Sequence, residues 1–246
     1  MIRWGILPVV TVSLSGKTAI VTGGSRGIGL AIARALAKSD ANIMITGTRA
    51  KPLADAVREL GAKAMAETAN VRDYADVERA FNAAAARFGG IDILVNNAGI
   101  GVFAPVASMS IDQWHEVIDT NVTGVFHCSR AVLPHMRSRG GGWIISISSL
   151  SGSNPFPNGG AYCASKAALN AFSESLMQEV RHDGIRVATV APGSVNTSFG
   201  GHETADSDWK LSPDDVAEVV VGLLAHPARS LPSRVEIRPA RPPKKG

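Results

Sequence analysis

Cysteine is scarce in this chain. Cys128 and Cys163 are the only two, and they form neither a CxxC pair nor a disulfide framework, so a reducing cytoplasm is the expected setting. Aromatic residues make up 5% of the sequence, which leaves a core of Ala, Val, Ile and Leu, the composition of buried parallel strands. A long apolar run is missing too. The stretch Ile6 to Val12 is short, contains Pro8 and is followed by no small-residue cleavage site, so neither a signal peptide nor a membrane span is expected. Residues 1–16 read as an N-terminal extension and 17–246 as the domain. Acids are slightly outnumbered, giving a net charge of +4 and a pI near 9.3. That excess falls largely on Arg238, Arg241, Lys244 and Lys245 in a proline-rich tail at about 238–246. With no aromatic-rich basic stripe and no zinc-ligand spacing, the tail is expected to be solvated and not to bind nucleic acid. His115, His127 and His135 lack a carboxylate partner at ligand spacing, so no metal is expected.

Glycine, in contrast, is abundant, and its residues cluster in strings without a period, which argues against a solenoid. Strand and helix patterns alternate. Strands are expected at Thr18–Thr22, Asn42–Thr46, Lys63–Ala69, Ile91–Asn96, Trp143–Ser148 and Arg186–Ala191, with an edge strand at Arg234–Arg238. Helices are expected at Ile28–Lys38, Leu53–Leu60, Ala75–Phe88, Trp114–Arg139 with a bend at Pro134, Tyr162–His182 and Pro213–Leu224. The alternation predicts one α/β domain built on a doubly wound parallel sheet with right-handed crossovers. Ligands bind such sheets beyond the carboxyl ends of the strands.

Tyr162 and Lys166 stand four residues apart in a predicted helix, so their side chains share a face. A phenol has an unperturbed pKa of about 10. A nearby ammonium is expected to favour the phenolate and lower that value, fitting the pair for general acid/base work near neutral pH.

Thr22-Gly-Gly-Ser-Arg-Gly-Ile-Gly29 joins the first strand to the first helix. Gly23, Gly27 and Gly29 permit a tight turn, a close-lying pyrophosphate and close helix–strand packing, with helix-start amides free for phosphate. An acid about 20 residues further on would grip the ribose 2′-hydroxyl of NAD and repel the 2′-phosphate of NADP. This chain has Gly47-Thr48-Arg49 there, with Arg26 as a second cation. Two guanidiniums beside one phosphate favour NADP over NAD.

Gly23–Gly29, Asn96-Asn-Ala-Gly99, Asn121, Ser149, Tyr162, Lys166 and Pro192-Gly193 follow one another in order. With these motifs the chain resembles the short-chain dehydrogenase/reductase family from about Lys17 to Leu224. Within it, Arg26 and the Asn70-Val71 pair are similar to those of NADP-linked carbonyl and 3-oxoacyl reductases. The resemblance implies a Rossmann-like fold and a small carbonyl or alcohol substrate. It makes Tyr162 the general acid/base, with Lys166 lowering its pKa and bonding the nicotinamide ribose. Ser149, thirteen residues before Tyr162, would bond the substrate oxygen, the gap selecting it over Ser148. Asn121 would anchor a water linking Lys166 to solvent. The resemblance also places Gly23, Ser25, Arg26, Gly27, Ile28, Gly29, Thr48 and Arg49 at the phosphates and adenosine ribose. Asn97, Ala98 and Gly99 would line the adenine-ribose side, with Asn70 and Val71 at the adenine. Pro192, Gly193, Val195 and Thr197 would meet the nicotinamide.

The chain departs from the family at its end, where relatives carry a glycine-rich strand near Asp-Gly-Gly and this one has Pro232-Ser-Arg-Val-Glu-Ile-Arg-Pro. A homodimer through Thr120–Arg137 and Tyr162–Val180 is still expected, with a homotetramer as the larger option. The stretch between Phe199 and Leu211, the substrate lid in relatives, is short and polar, and Phe156, Phe199 and Trp209 are candidates for the pocket wall. A non-catalytic NADP sensor is the alternative from another class; its signature would be a damaged Ser/Tyr/Lys set, and the set is intact. Related enoyl reductases space Tyr and Lys more widely, which points to a C=O substrate.

Overall fold

The computed structural model describes residues 12–201 and 208–242. The apolar run before Val12, the centre of the lid stretch and the last four tail residues lie outside them. Seven strands form one sheet: β1 (Thr18–Thr22), β2 (Asn42–Gly47), β3 (Ala64–Thr68), β4 (Ile93–Asn96), β5 (Gly142–Ile147), β6 (Ile185–Pro192) and β7 (Arg234–Ile237). Their order is β3-β2-β1-β4-β5-β6-β7, every neighbouring pair parallel. The helices are α1 (Gly27–Lys38), α2 (Ala50–Leu60), α3 (Tyr74–Phe88), α4 (Ile111–Ile118), α5 (Gly124–Ser138), α6 (Gly160–Val180) and α7 (Pro213–Leu224).

The strands send successive side chains to opposite faces, so each feeds two cores. Ala19 and Val21, Ile43 and Ile45, Ile93 and Val95, and Ile145 and Ile147 pack with Ile32 and Leu36 of α1 and Val216 and Val220 of α7. Ile20, Met44, Leu94 and Ile144 point the other way, towards Phe81 of α3, Val132 of α5 and Leu176 of α6. Both faces are apolar, which is why these strands read as continuous hydrophobic runs. Packing extends back past Lys17: Leu14 is buried and its amide donates to the Ser39 carbonyl at 2.7 Å. The strand order reverses between β1 and β4, and the crevice at their carboxyl ends receives both glycine-containing motifs.

Two helices differ from expectation. The second begins at Ala50, because Pro52 in the first turn removes an amide that has no helical partner there. The expected long helix Trp114–Arg139 is two helices joined by one turn of π helix, Asp119–Thr123. The irregularity falls at Asn121, whose buried side chain reaches the loop after β4, while Pro134 lies inside a continuing α5. Among the described residues, no helix is long and apolar enough to cross a membrane.

Candidate active site

The turn between β1 and α1 is a cradle. Gly23 has φ +63°, and a Cβ on it would lie 3.0 Å from the Ala98 Cα. A Cβ on Gly29 would overlap the Asn97 amide and the Gly23 carbonyl. The turn is therefore pressed against Asn97 and Ala98. Asn97 Nδ2 donates to the carbonyls of Thr22 and Gly23 at 2.9 and 3.1 Å, while Thr22 Oγ1 accepts from the Asn97 and Ala98 amides, each at 3.0 Å. The Asn97 side chain thus braces the glycine turn through its Nδ2. Arg26 stands at the N-cap of α1 without a side-chain capping bond, its guanidinium donating instead to Ser198 Oγ at 3.4 Å, and no acid occupies the first turn. The helix start offers open amides and positive potential to an anion. Ser25 and Ile28 are half-buried in this turn, and Arg26, Thr48 and Arg49 are exposed beside it. Thr197 closes the far side, its Cγ2 3.5 Å from where a Gly27 Cβ would stand. These residues fit a dinucleotide, with open amides at the helix start for a phosphate and exposed arginines at 26 and 49.

Asn70 and Val71 end the segment after β3. Asn70 Oδ1 accepts from the Arg72 amide at 3.1 Å, and the Val71 carbonyl faces His127 Nδ1 at 3.0 Å. Gly124 makes room for Val71, whose Cγ2 would be 2.7 Å from a Cβ there. Pro192 ends β6. Gly193 donates to the Ile237 carbonyl at 2.8 Å, and Val195 pairs with Leu211, so this arm is fastened to β7 and to the start of α7.

Asn121, Tyr162 and Lys166 are all buried. Asn121 accepts from the Ile100 amide and donates to its carbonyl, both at 2.9 Å, and also donates to Ser165 Oγ at 3.0 Å. Ser165 Oγ in turn donates to the Tyr162 carbonyl at 2.7 Å. One amide side chain therefore ties the π turn, the loop after β4 and the start of α6 together. Gly99 lies against this knot: a Cβ there would stand 3.2 Å from Asn121 Oδ1 and 3.7 Å from Lys166 Nζ.

The electrostatics of the pair differ from the sequence expectation. Lys166 Nζ donates to the Ile147 carbonyl at 2.8 Å and lies 5.8 Å from the centre of the Tyr162 ring. Burial pushes the Tyr162 phenol above its ordinary value, and the Ser149 hydroxyl beside it pulls in the opposite direction. Burial also lowers the Lys166 ammonium to about 8. Desolvation thus outweighs the Ser149 hydrogen bond, and the shift of the phenol runs upward, opposite to the lowering expected from the ammonium.

Ser148 and Ser149 part company just beyond β5. Ser148 Oγ donates to Asn170 Oδ1 at 2.6 Å, which commits it to α6. Ser149 accepts from the Ser151 amide and bonds its hydroxyl, both at 3.1 Å, on the Tyr162 side. Sequence reasoning missed Ser165, Asn170 and Phe103. The first two share the helix face of Tyr162 and Lys166, a signal available from spacing alone. Phe103 gave none; its ring meets Tyr162 edge-on at 5.6 Å from a loop sixty residues away. Trp209 stands with Lys210 and Arg238 around a separate 690 Å³ cleft and is not among the rings paired with Tyr162. Among the described residues, no cluster of His, Cys, Asp and Glu is placed to hold a metal ion.

This arrangement meets a known family. The short chain dehydrogenase family model matches residues 17–208. The chain belongs to that family. It is an oxidoreductase, 36% identical over 232 residues to 3beta-hydroxysteroid dehydrogenase 1 of Eggerthella lenta, covering 87% of this chain and 89% of that one. Among solved structures, an alcohol dehydrogenase from Thermococcus sibiricus complexed with 5-hydroxy-NADP superposes with a TM-score of 0.86. It is 31% identical and covers 93% of this chain and 99% of its own. A 3-ketoacyl-(acyl-carrier-protein) reductase from Brucella melitensis complexed with NADH gives 0.86 at 28% identity, covering 92% and 98%.

Proposed function

We propose that this enzyme uses NADP(H) to interconvert a carbonyl and an alcohol, with Tyr162 as general acid/base. The observation that carries the reading is the buried Tyr162 beside the Ser149 hydroxyl, one helical turn from the buried Lys166, at the carboxyl edge of the sheet beside the cradle. The bound nicotinamide would supply the hydride donor or acceptor, chemistry that belongs to the cofactor. In the reducing direction the carbonyl carbon gains a hydride and its oxygen gains the proton of Tyr162. Ser149 holds the carbonyl oxygen. Lys166, kept at the Ile147 carbonyl, stabilises the phenolate that remains, and Asn121 fixes the helix register between the two.

Arg26 and Arg49 support NADP over NAD, as does the 5-hydroxy-NADP of the Thermococcus sibiricus relative. The relatives' substrates include a hydroxysteroid and a 3-ketoacyl thioester, which places both among the compounds to test. A screen of aldehydes, ketones and 3-oxoacyl thioesters that follows NADPH oxidation by absorbance tests the reaction. Turnover disappears in Tyr162→Phe while NADPH still binds, and near-normal rates in that variant would reject it. An Arg49→Ala substitution raises KM for NADPH about tenfold and leaves NADH unaffected, as the loss of one charge-assisted phosphate bond requires.

A homodimer belongs to the same reading. Ala164, Ala167, Ala168 and Ala171 are exposed on α6, and Phe126 of α5 is exposed beside Phe172. Sedimentation of Ala168→Arg tests it: this substitution on a close helix contact yields monomer if that face is the interface.

A further inference from the structure

Phenylalanines from three separate loops gather at Tyr162, two against its ring and the third stacked behind one of them. Phe103 follows β4, Phe156 follows β5 and Phe199 follows β6. Phe103 meets the Tyr162 ring at 5.6 Å with the planes 72° apart, and Phe199 meets it at 5.5 Å and 53°. Phe156 packs on Phe103 at 5.9 Å and 41°. All three remain more than a third exposed, so each ring keeps an uncovered face near Tyr162. In a chain with so few aromatics, this grouping of partly uncovered rings forms an apolar wall beside Tyr162.

The wall is built. A Cβ on Gly101 would stand 2.8 Å from Phe103 Cζ and 2.8 Å from Phe199 Cε1, so glycine there is what admits both rings. Gly159 does the same for Phe156, whose Cε2 would be 2.6 Å from an added Cβ. The Ala104 amide donates to the Asn158 carbonyl at 2.9 Å, tying the Phe103 loop to the Phe156 loop, with Asn158 in the left-handed region at φ +64°.

We infer that the substrate carbonyl is carried on a flat apolar ring system, an aryl or fused alicyclic ketone, and not on a linear acyl thioester or a short hydroxylated chain. The inference rests on the proposed reaction at Tyr162. Offset and edge-on aromatic contacts reward a rigid planar surface, whose apolar area is buried with little loss of internal freedom. A flexible chain loses rotamers on the same wall, and a hydroxylated one loses water without replacement bonds.

The test compares kcat/KM with NADPH for acetophenone, 2-decalone, acetoacetyl-N-acetylcysteamine and glyceraldehyde. The ring ketones are expected to lead by at least about tenfold. Phe103→Ala and Phe156→Ala should each cost them about tenfold more than they cost the thioester, chiefly through KM. Calorimetric binding of 2-decalone to Tyr162→Phe with NADP+ separates the two claims. Tight binding there, lost on adding Phe103→Ala, supports the ring wall whatever the turnover shows. A protein that reduces the thioester or glyceraldehyde best, and binds no ring ketone, overturns the wall and leaves the reaction standing. One that binds ring ketones yet reduces no carbonyl through Tyr162 overturns the reaction alone.

Discussion

Two buried charges lie at opposite ends of the sheet, and the protein treats them in opposite ways. At the amino end, Asp92 accepts from the Thr18 amide at 3.0 Å, Lys17 at 3.0 Å and Arg139 at 3.2 Å. Gly90, at φ +144°, leaves room for the Arg139 stem, which would be 2.6 Å from a Cβ. At the carboxyl end, Lys166 has a single carbonyl at 2.8 Å, and among the described residues no carboxylate forms an ion pair with it. The first charge is compensated and closes β1, β4 and the end of α5 together. The second is left costly, and a site that must hold a cofactor and move a proton is where such a cost persists.

The comparison breaks most visibly at Lys166. Exchange for methionine should cut kcat by about 10²–10⁴-fold, the range for loss of acid–base assistance. The same variant without cofactor should unfold at a higher temperature at pH 7, by an amount on the order of 2 kcal/mol, because a desolvated ammonium has gone. An unchanged or lower melting temperature would show that the lysine is not a burden. Asp92→Ala should do the reverse. It leaves a buried amide and two cations unpaired and should cost about 2–3 kcal/mol, or roughly 5–10 °C in Tm for a domain of this size, with kcat retained. Activity falling in step with stability would refute the division of labour.

Titration sharpens the contrast. The folded pKa of Lys166, about 8, lies below its unfolded value. Between about 8 and 10.4 the unfolded chain therefore holds more proton than the native one, so stability gains with rising pH across that window, and the penalty is complete below it. Urea unfolding of wild type minus Lys166→Met, measured from pH 7 to 10, should show this slope; parallel curves would deny it. The smallest effect is expected at Asn170. Removing its side chain in Asn170→Ala frees Ser148 and loosens Ser149 beside it, and kcat should drop about fivefold, within reach of one lost hydrogen bond. Asn170→Asp keeps the Oδ1 acceptor and should restore most of the rate, which a purely packing role would not predict.

The strands and helices were largely legible because each is dictated locally, by two-sided apolar runs and by spacing along one face. Thr18–Thr22 and Pro213–Leu224 stand where the pattern put them. The π turn was not legible, since it depends on Asn121 meeting Ile100 across twenty-one positions. Nor was the bracing role of Asn97, set by Thr22 and Gly23 on the neighbouring strand's end. The direction of the Tyr162 shift was misread for a related reason. Spacing reveals the nearby ammonium, but the burial that raises the phenol is a property of the whole packed site. Phe103 shows the same limit, as a ring that gains meaning only from what other loops bring beside it.

The extra residue in the turn at Asp119–Thr123 has a consequence for any redesign of this scaffold. Deleting one residue there would restore regular α geometry and read locally as an improvement. It would also rotate everything upstream by about 100° relative to α5. The amide at 121 would swing off the Ile100 backbone, and the three segments it joins would lose their common peg. Length in that short stretch is a hidden gear tooth: a shorter helix would mesh with its neighbours one notch out of phase.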